Sequence, residues 1–371
     1  MKRLAIIHNL PMAYYPPAFN LMKVVADSGI DVTVVTTRAQ IGHELEQNRR
    51  VRIYYPIRER RGGNSILNLL RQVYFVLYAL LKLLWLRPDV VLYYESSSAF
   101  APCLYRMLRG RKAVICAHYH EYVELKEYDR PGMRFSKIAR QCEERYLLKN
   151  CLWVSQTNSF RMDFFRQNYP FLSDTQCHVM PNYPPKSWKV MTKQHNGSPV
   201  KCVLIGSLSL KDTFLVDFCK WVMWQKGKVT VDFYSFNFHD EVLYYFDSLD
   251  PSLYKLHKAG IPYDAIPSVL ASYDVGLLLY RAENRNYQYN ETNKLYEYLS
   301  CGLDVWYPTT MKLIHSMDKS QFAPQIEAFD VTMQHFPHPI TASRTVDNSG
   351  FDKFCEFVYH NFLSSTGLIE E

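Results

Sequence analysis

The stretch Asn290–Pro308 (NETNKLYEYLSCGLDVWYP) decides how the rest of the chain is read. Short polar residues Asn290, Thr292 and Asn293 stand before an apolar run, which is how a helix N-terminus is written. Leu295, Tyr298 and Leu299 recur at helical spacing, and Gly302 is placed to end the helix. Leu303–Tyr307, closed by Pro308, predicts a short strand. A helix start exposes N–H groups and carries partial positive charge, so it suits a phosphate. Lys294 adds a point charge there, and Glu297, one turn on and on the same face, offers a carboxylate to two neighbouring sugar hydroxyls. A cation for a diphosphate and a carboxylate for a ribose are what a nucleotide-sugar pocket requires. The competing reading is an ordinary amphipathic helix with an exposed Lys–Glu pair.

Around this stretch, 371 residues with 48% hydrophobic content allow two domains with sizeable cores. Nine scattered cysteines lack paired or metal-ligand spacing and read as reduced, mostly buried thiols of a cytoplasmic protein. Lys2 and Arg3 precede only the short apolar run Leu4–Ile7, read as a buried strand rather than a leader. Residues 1–182 carry 26 Lys+Arg against 15 Asp+Glu, whereas the remainder carries 17 against 21. A basic half suggests an anionic partner. Without a nucleic-acid-binding signature, no nucleic acid is expected, and an anionic membrane surface fits better.

The first half alternates strands and helices. Candidate strands are Leu4–His8, Asp31–Thr37, Val51–Tyr55, Asp89–Tyr94, Ala113–Ala117 and Leu152–Gln156; candidate helices are Ala18–Asp27, Ile66–Leu86, Ala99–Leu108 and Arg134–Lys149. Apolar strands alternating with helices predict a parallel sheet covered on both faces, a Rossmann-like α/β domain. No G-x-G-x-x-G follows the first strand, so no dinucleotide cofactor is expected. Tyr183–Pro199 breaks the pattern and reads as a linker. A second α/β unit then opens at Lys201–Ile205 and contains the stretch quoted above. The expected division is 1–182, linker 183–199, 200–345 and a C-terminal segment 346–371.

Ile66–Leu86 has 21 residues, but Asn68, Arg71, Gln72 and Lys82 interrupt it, which argues against a membrane-spanning helix. Two readings stand: a largely buried domain helix, preferred because a parallel sheet needs such covers, or one whose edge meets lipid headgroups. Peripheral attachment through Arg58, Arg60 and Arg61 is compatible with both.

Two strand ends carry candidate chemistry. His118-Tyr119-His120-Glu121 follows Ala113–Ala117, where open α/β folds place ligands. Histidines and a carboxylate there suit hydroxyl binding, proton transfer or metal ligation. We expect His118 and His120 to project to opposite faces, against zinc ligation by both. Gly206-Ser207 follows the second domain's first strand: glycine admits a phosphate or sugar to the backbone, and Ser207 supplies a donor. Lys211 lies five residues beyond Gly206; an exposed loop lysine is the plainer reading.

The string NKLYEYLSCGL resembles the donor-site signature of GT-B glycosyltransferases, above all family 4, written P-x-K-x-x-E-Y-x-x-x-G-x-P. Asp304 stands where that pattern has its last proline. Tyr289 stands where many members carry a second glutamate, for which Glu291 or Glu283 is a candidate substitute. The resemblance implies an α/β, GT-B fold of two Rossmann-like domains facing across a cleft, with a C-terminal helix crossing back to the first. It implies transfer of a sugar from a nucleotide diphosphate-sugar to a glycan or lipid-linked acceptor in capsule, O-antigen or exopolysaccharide synthesis, with retention at the anomeric carbon. Glu297 would hold the ribose; Asn293, Lys294 and the helix N-terminus would face the diphosphate, with Gly206, Ser207, Lys211 and Glu291 around the donor. His120, with Glu121 beside it, matches the family's histidine near the transferred sugar. Metal and cofactor are not expected, since the lysine and helix terminus already neutralise phosphate. The alternatives are an inverting enzyme with Glu121 as base, a catalytically silent partner subunit, and an epimerase of the same shape. Localisation is expected to be cytoplasmic, peripheral at the inner face of the membrane.

Overall fold

The computed structural model describes residues 2–39, 49–60, 65–236, 238–330 and 342–370; Arg61 lies outside them. The chain forms two compact units, Met1–Pro181 with Cys355–Glu371, and Asn182–Phe354. Residues 183–199 and 346–354 belong to the second unit.

The first unit is built on β1 (Arg3–His8), β2 (Asp31–Thr36), β3 (Val51–Tyr54), β4 (Val90–Tyr94), β5 (Val114–Tyr119), β6 (Trp153–Gln156) and β7 (Cys177–Val179). Their order is β3-β2-β1-β4-β5-β6-β7, and every pairing is parallel. Ile6, Ile7, Val91, Leu92 and Ile115 are buried, as a sheet covered on both faces requires. The covers are α1 (Pro16–Asp27), α2 (Ser65–Leu86), α3 (Phe100–Arg109), α4 (Arg134–Tyr146) and α5 (Ser159–Asn168). The helix Cys355–Ser365 returns to this unit and packs on α1: the Tyr359 hydroxyl donates to the Pro17 carbonyl at 2.8 Å, and Phe362 meets Trp153 edge-on. Strand order reverses between β1 and β4, so a switch point opens at His8 and Tyr94.

The second unit repeats the plan with β9 (Val200–Ile205), β10 (Val229–Tyr234), β11 (Tyr254–His257), β12 (Val275–Leu277), β13 (Asp304–Pro308) and β14 (Ile326–Phe329), all parallel in the order β11-β10-β9-β12-β13-β14. Its helices are α6 (Leu215–Trp224), α7 (Asp240–Asp247), α8 (Ile266–Leu270), α9 (Arg285–Gln288), α10 (Asn293–Ser300) and α11 (Lys312–Ser316). Here the order reverses between β9 and β12, beside Gly206. β8 (Thr192–His195), inside the stretch read as a linker, pairs antiparallel with β15 (Arg344–Asp347). The strands that the pattern did not announce (β7, β8, β11, β14 and β15) have three or four residues each, too few for a period to register.

Helix α2 corrects the preferred reading of Ile66–Leu86. Only one line of it, Phe75, Ala79 and Leu83, is buried in the core, while Ile66, Leu69, Leu70, Val73, Leu77, Leu81 and Trp85 are exposed. A sheet face covers one stripe of a helix, and α2 is apolar on more than that stripe.

Candidate active site

In the second unit, α10 begins at the C-terminal edge of the parallel sheet, because it follows β12 and leads back to β13. Thr292 is its N-cap, extended in backbone and without a side-chain cap hydrogen bond. The Leu295 N–H turns back to the Thr292 carbonyl at 3.1 Å, which leaves the N–H groups of Asn293 and Lys294 without an intrahelical partner. At the other end Gly302 takes φ 75°, and its N–H donates to Leu299 while that of Leu303 reaches Tyr298, a Schellman closure that glycine favours. Tyr298 fixes the helix to the switch point. Its hydroxyl accepts the Ile205 N–H at 3.0 Å, at the end of β9. Its ring lies on β12 at Gly276, where an added Cβ would come within 2.2 Å of the ring.

One turn before Tyr298 stands Lys294. Its ammonium lies 2.5 Å from Glu297 Oε2, and Asn293 Nδ2 donates to Oε1 at 2.6 Å. The lysine side chain is 12% exposed and the carboxylate 1%. This is not the exposed pair of an ordinary surface helix; Asn293 and Lys294, both partly buried, close over the buried Glu297 carboxylate. Burying such charges is costly unless each is paired and hydrogen-bonded, as these are.

Gly206 lies at the end of β9 with φ 150°, its N–H bonded to the Tyr234 carbonyl at 3.0 Å, and an added Cβ would meet nothing within 4 Å. Ser207 beside it is exposed. Lys211 is also exposed, in a turn where Ser209 Oγ accepts the N–H groups of Lys211 (3.2 Å) and Asp212 (3.0 Å). Glu291 accepts the hydroxyl of Tyr296, whose ring meets Tyr183 edge-on at 4.6 Å. Burial, then the Glu291 charge, pushes the Tyr296 phenol well above its usual range, so it stays a donor. Glu283 is exposed.

In the first unit, His8, Tyr94, His118 and His120 converge at the strand ends. His118 and His120 share a face, their ring centroids 4.7 Å apart. The expectation of opposite faces is corrected: strand side chains alternate, so residues two apart point the same way. His120 stacks between Tyr15 and Tyr94, each 4.9 Å away. His118 Nδ1 lies 2.8 Å from Ser155 Oγ. His8 is buried, and among the described residues neither of its ring nitrogens finds a hydrogen-bond partner. Burial first, and the His120 charge second, lowers both His8 and His118 well below the usual histidine range, so both are neutral at pH 7.

Glu95, directly after β4, holds the next turn in place: its Oε1 accepts the N–H of His120 at 2.8 Å and of Glu121 at 3.2 Å. Its backbone sits at φ 62°, ψ 150°, a region essentially reserved for glycine that costs of order 1–3 kcal/mol. Burial, then the Glu121 charge, pushes its carboxyl up to about 8, against the pull of those two N–H groups and of Arg161. Arg161, buried on α5, donates to the His120 carbonyl at 2.6 Å and to Thr157 Oγ1 at 3.0 Å. Its other nitrogen lies 3.5 Å from Glu121, whose side chain is half exposed. The sheet thus presents a strained, largely protonated carboxyl near three clustered imidazoles, of which His120 is stacked between tyrosines, an arrangement suited to hydroxyls and proton transfer.

Residues 18–182 match the family model described as Glycosyltransferase Family 4. The lipopolysaccharide outer core galactosyltransferase WaaB, in its apo form, has a similar fold: TM-score 0.59 at 12% identity over 99% of each chain. Sucrose-phosphate synthase from Thermosynechococcus elongatus (TM-score 0.57, 11% identity) and Anabaena HepE in complex with UDP (0.56, 12%) each align over 88% of this chain and 86% of their own. The fold is of GT-B type, and residues 18–182 resemble glycosyltransferase family 4. No curated protein sequence matches the chain.

Pattern reading passed over two residues of the first unit. Glu95 directly follows the strand VVLYY, and the strand-end rule that singled out His120 after β5 applies equally after β4. Arg161 carries no signal in the pattern, because the His120 carbonyl it holds lies 41 residues away in sequence. Asp304, the departure from the family pattern, has a structural role at the opposite sheet edge. It accepts the Gln325 N–H at 2.7 Å and pairs with Arg344, binding β13 to the β8–β15 ribbon. Arg58 and Arg60 are exposed ahead of α2.

Proposed function

We propose that the chain is a glycosyltransferase that moves a sugar from a nucleoside diphosphate-sugar held by the second unit to a glycan or lipid-linked acceptor held by the first, in the synthesis of a cell-surface polysaccharide. The observation that carries the reading is the Asn293–Lys294–Glu297 cluster at the first turn of α10, built on the buried Glu297 carboxylate and fixed by Tyr298 to the end of β9. Lys294 and the first N–H groups of α10 offset the charge that builds on the leaving diphosphate. Glu297 exchanges part of its contact with Asn293 and Lys294 for the ribose hydroxyls. Gly206 and Ser207 admit the phosphates, with Lys211 and Glu291 at the margin. His120 positions the reacting sugar. HepE, bound to UDP, and WaaB, named for lipopolysaccharide core synthesis, support donor class and pathway by their similarity of fold. The enzyme is cytoplasmic and peripheral at the inner membrane face, with Arg58 and Arg60 toward anionic lipid.

The test is a thermal-shift screen of nucleotides and nucleotide sugars followed by turnover on acceptor extracts. A true donor raises the melting temperature, and Glu297→Ala abolishes that rise. Equal shifts in parent and variant remove the ribose role, and a shift without turnover on any acceptor favours a silent subunit. Transfer proceeds without metal, so EDTA leaves the rate unchanged; a loss restored by Mg²⁺ contradicts this.

Retention follows from the family resemblance. Inversion is a second reading, favoured by Glu95 rather than Glu121: the former is the carboxyl pushed up to about 8, whereas the latter is half exposed and ion-paired with Arg161. With Glu95 as base, activity rises with pH through about 8, and Glu95→Gln removes that limb. A profile identical in parent and variant returns the mechanism to retention without a base from this unit.

A further inference from the structure

We propose that the outer face of α2, with the adjoining end of α3, inserts its apolar side chains into the headgroup–acyl boundary of an anionic bilayer, with the helix lying in the membrane plane. This deepens the peripheral-membrane part of the proposed function and holds whether or not the chain transfers a sugar.

At 3.6 residues per turn, Ile66, Leu69, Leu70, Val73, Leu77, Leu81 and Trp85 fall on one side of α2, opposite the buried line Phe75, Ala79 and Leu83. They are open along the whole helix, and Leu81 and Trp85 keep 66% and 69% of their surface. α3 packs against α2 and adds Leu104, Met107 and Leu108, one exposed apolar side at i, i+3, i+4. A continuous apolar surface of this length on a water-soluble domain calls for a cover.

Charge selects the cover. Neither Ser65–Leu86 nor Phe100–Arg109 contains an aspartate or glutamate. Arg71 and Lys82 lie along one margin of the exposed face of α2, Arg87 follows its end, and Arg106 and Arg109 occupy the last turn of α3. Two copies of the chain meeting through this face would set cations against cations. A bilayer with anionic headgroups instead places negative charge at the margin and hydrocarbon under the centre. Lys82 lies 3.8 Å above the Tyr54 ring and 5.1 Å from that of Trp85, a cation and an indole grouped as at a lipid–water boundary.

The helix does not span. Among the described residues, Ile66–Leu86 is long and apolar enough to cross a membrane by length and composition. However, β3 before it and β4 after it belong to one parallel sheet, and its inner line is packed on that sheet. A helix fixed along its length to a soluble domain is left only its outer face for lipid.

The test uses the full chain with vesicles of phosphatidylcholine alone and of phosphatidylcholine mixed with phosphatidylglycerol. The parent sediments with the mixed vesicles and retains part of that binding at high salt, where headgroup attraction is screened. Leu77→Glu with Leu81→Glu lowers the partition coefficient about tenfold or more, while the melting temperature and any nucleotide-induced shift stay as in the parent. Brominated acyl chains quench the parent's fluorescence, and Trp85→Phe removes most of the quenching, a readout that needs no charged substitution. Parent-like sedimentation of the double variant, or quenching unchanged by Trp85→Phe, overturns the proposal. So does a concentration-dependent dimer in ultracentrifugation that the double variant dissolves, which assigns the face to a second copy. Absence of any nucleotide-induced shift alongside intact vesicle binding counts against the transferase reading alone.

Discussion

Two carboxylates, Glu297 buried in the second unit and Glu95 half-buried in the first, are held in opposite ways. Glu297 is paired with a lysine and an amide from its own helical turn. Glu95 accepts two backbone N–H groups 25 and 26 residues away, on a strained backbone. The first arrangement keeps a charge ready for exchange with a polyanionic ligand's ribose and needs only one helix to be correct. The second is assembled by the ends of β4 and β5 with Arg161 of α5, and its environment favours the protonated form. A locally written cluster serves recognition of a common group, whereas an assembled one makes a carboxyl whose proton responds near neutral pH.

Breaking the local pair gives the largest effect. Lys294→Met leaves Glu297 buried without its cation, and unfolding by denaturant should show a loss of about 3–5 kcal/mol. Lys294→Met with Glu297→Leu should recover most of that loss, while nucleotide binding stays absent; a single variant as stable as the parent refutes the pairing. Glu95 gives the next effect, through pH. Its carboxyl is raised from an ordinary 4.5 to about 8, so the folded chain holds the proton longer than the unfolded one. The stability this confers is complete below 4.5 and declines as pH rises toward 8, by about 1.4 kcal/mol per pH unit from this group. Glu95→Gln should flatten that slope in urea unfolding at pH 5–8; an unchanged slope means the carboxyl is not perturbed. Gly276→Ala sharpens the comparison at lower magnitude, because the new methyl meets the Tyr298 ring that holds α10. Overpacking there should cost about 1–3 kcal/mol and weaken nucleotide binding, with the Glu95-dependent slope of stability against pH untouched. The smallest effect concerns neither cluster: Arg58→Gln with Arg60→Gln should weaken binding to anionic vesicles roughly fivefold per charge at low salt and less at high salt.

The same contrast explains what the sequence disclosed. Asn293, Lys294, Glu297, Tyr298 and Gly302 lie within ten residues, so one helical period and one glycine placed them together. The parallel sheets were legible because their central strands are apolar runs. Short edge strands such as β11 and β14 were not, having four residues each. Glu95 and Arg161 were passed over because their partners are brought in by tertiary packing. The reading of α2 as buried failed for a different reason. Apolar composition reports that a helix wants cover, but only the packing of Phe75, Ala79 and Leu83 shows which stripe the protein itself supplies.

The central claim is that the first turn of α10 binds a nucleoside diphosphate. Isothermal titration of nucleoside diphosphates into the parent chain and into the Lys294→Met, Glu297→Leu variant measures this directly. Saturable binding of at least one of them to the parent, absent in a folded variant of similar melting temperature, is the predicted result. Equal affinity in the two proteins, or no binding to the parent, would contradict it.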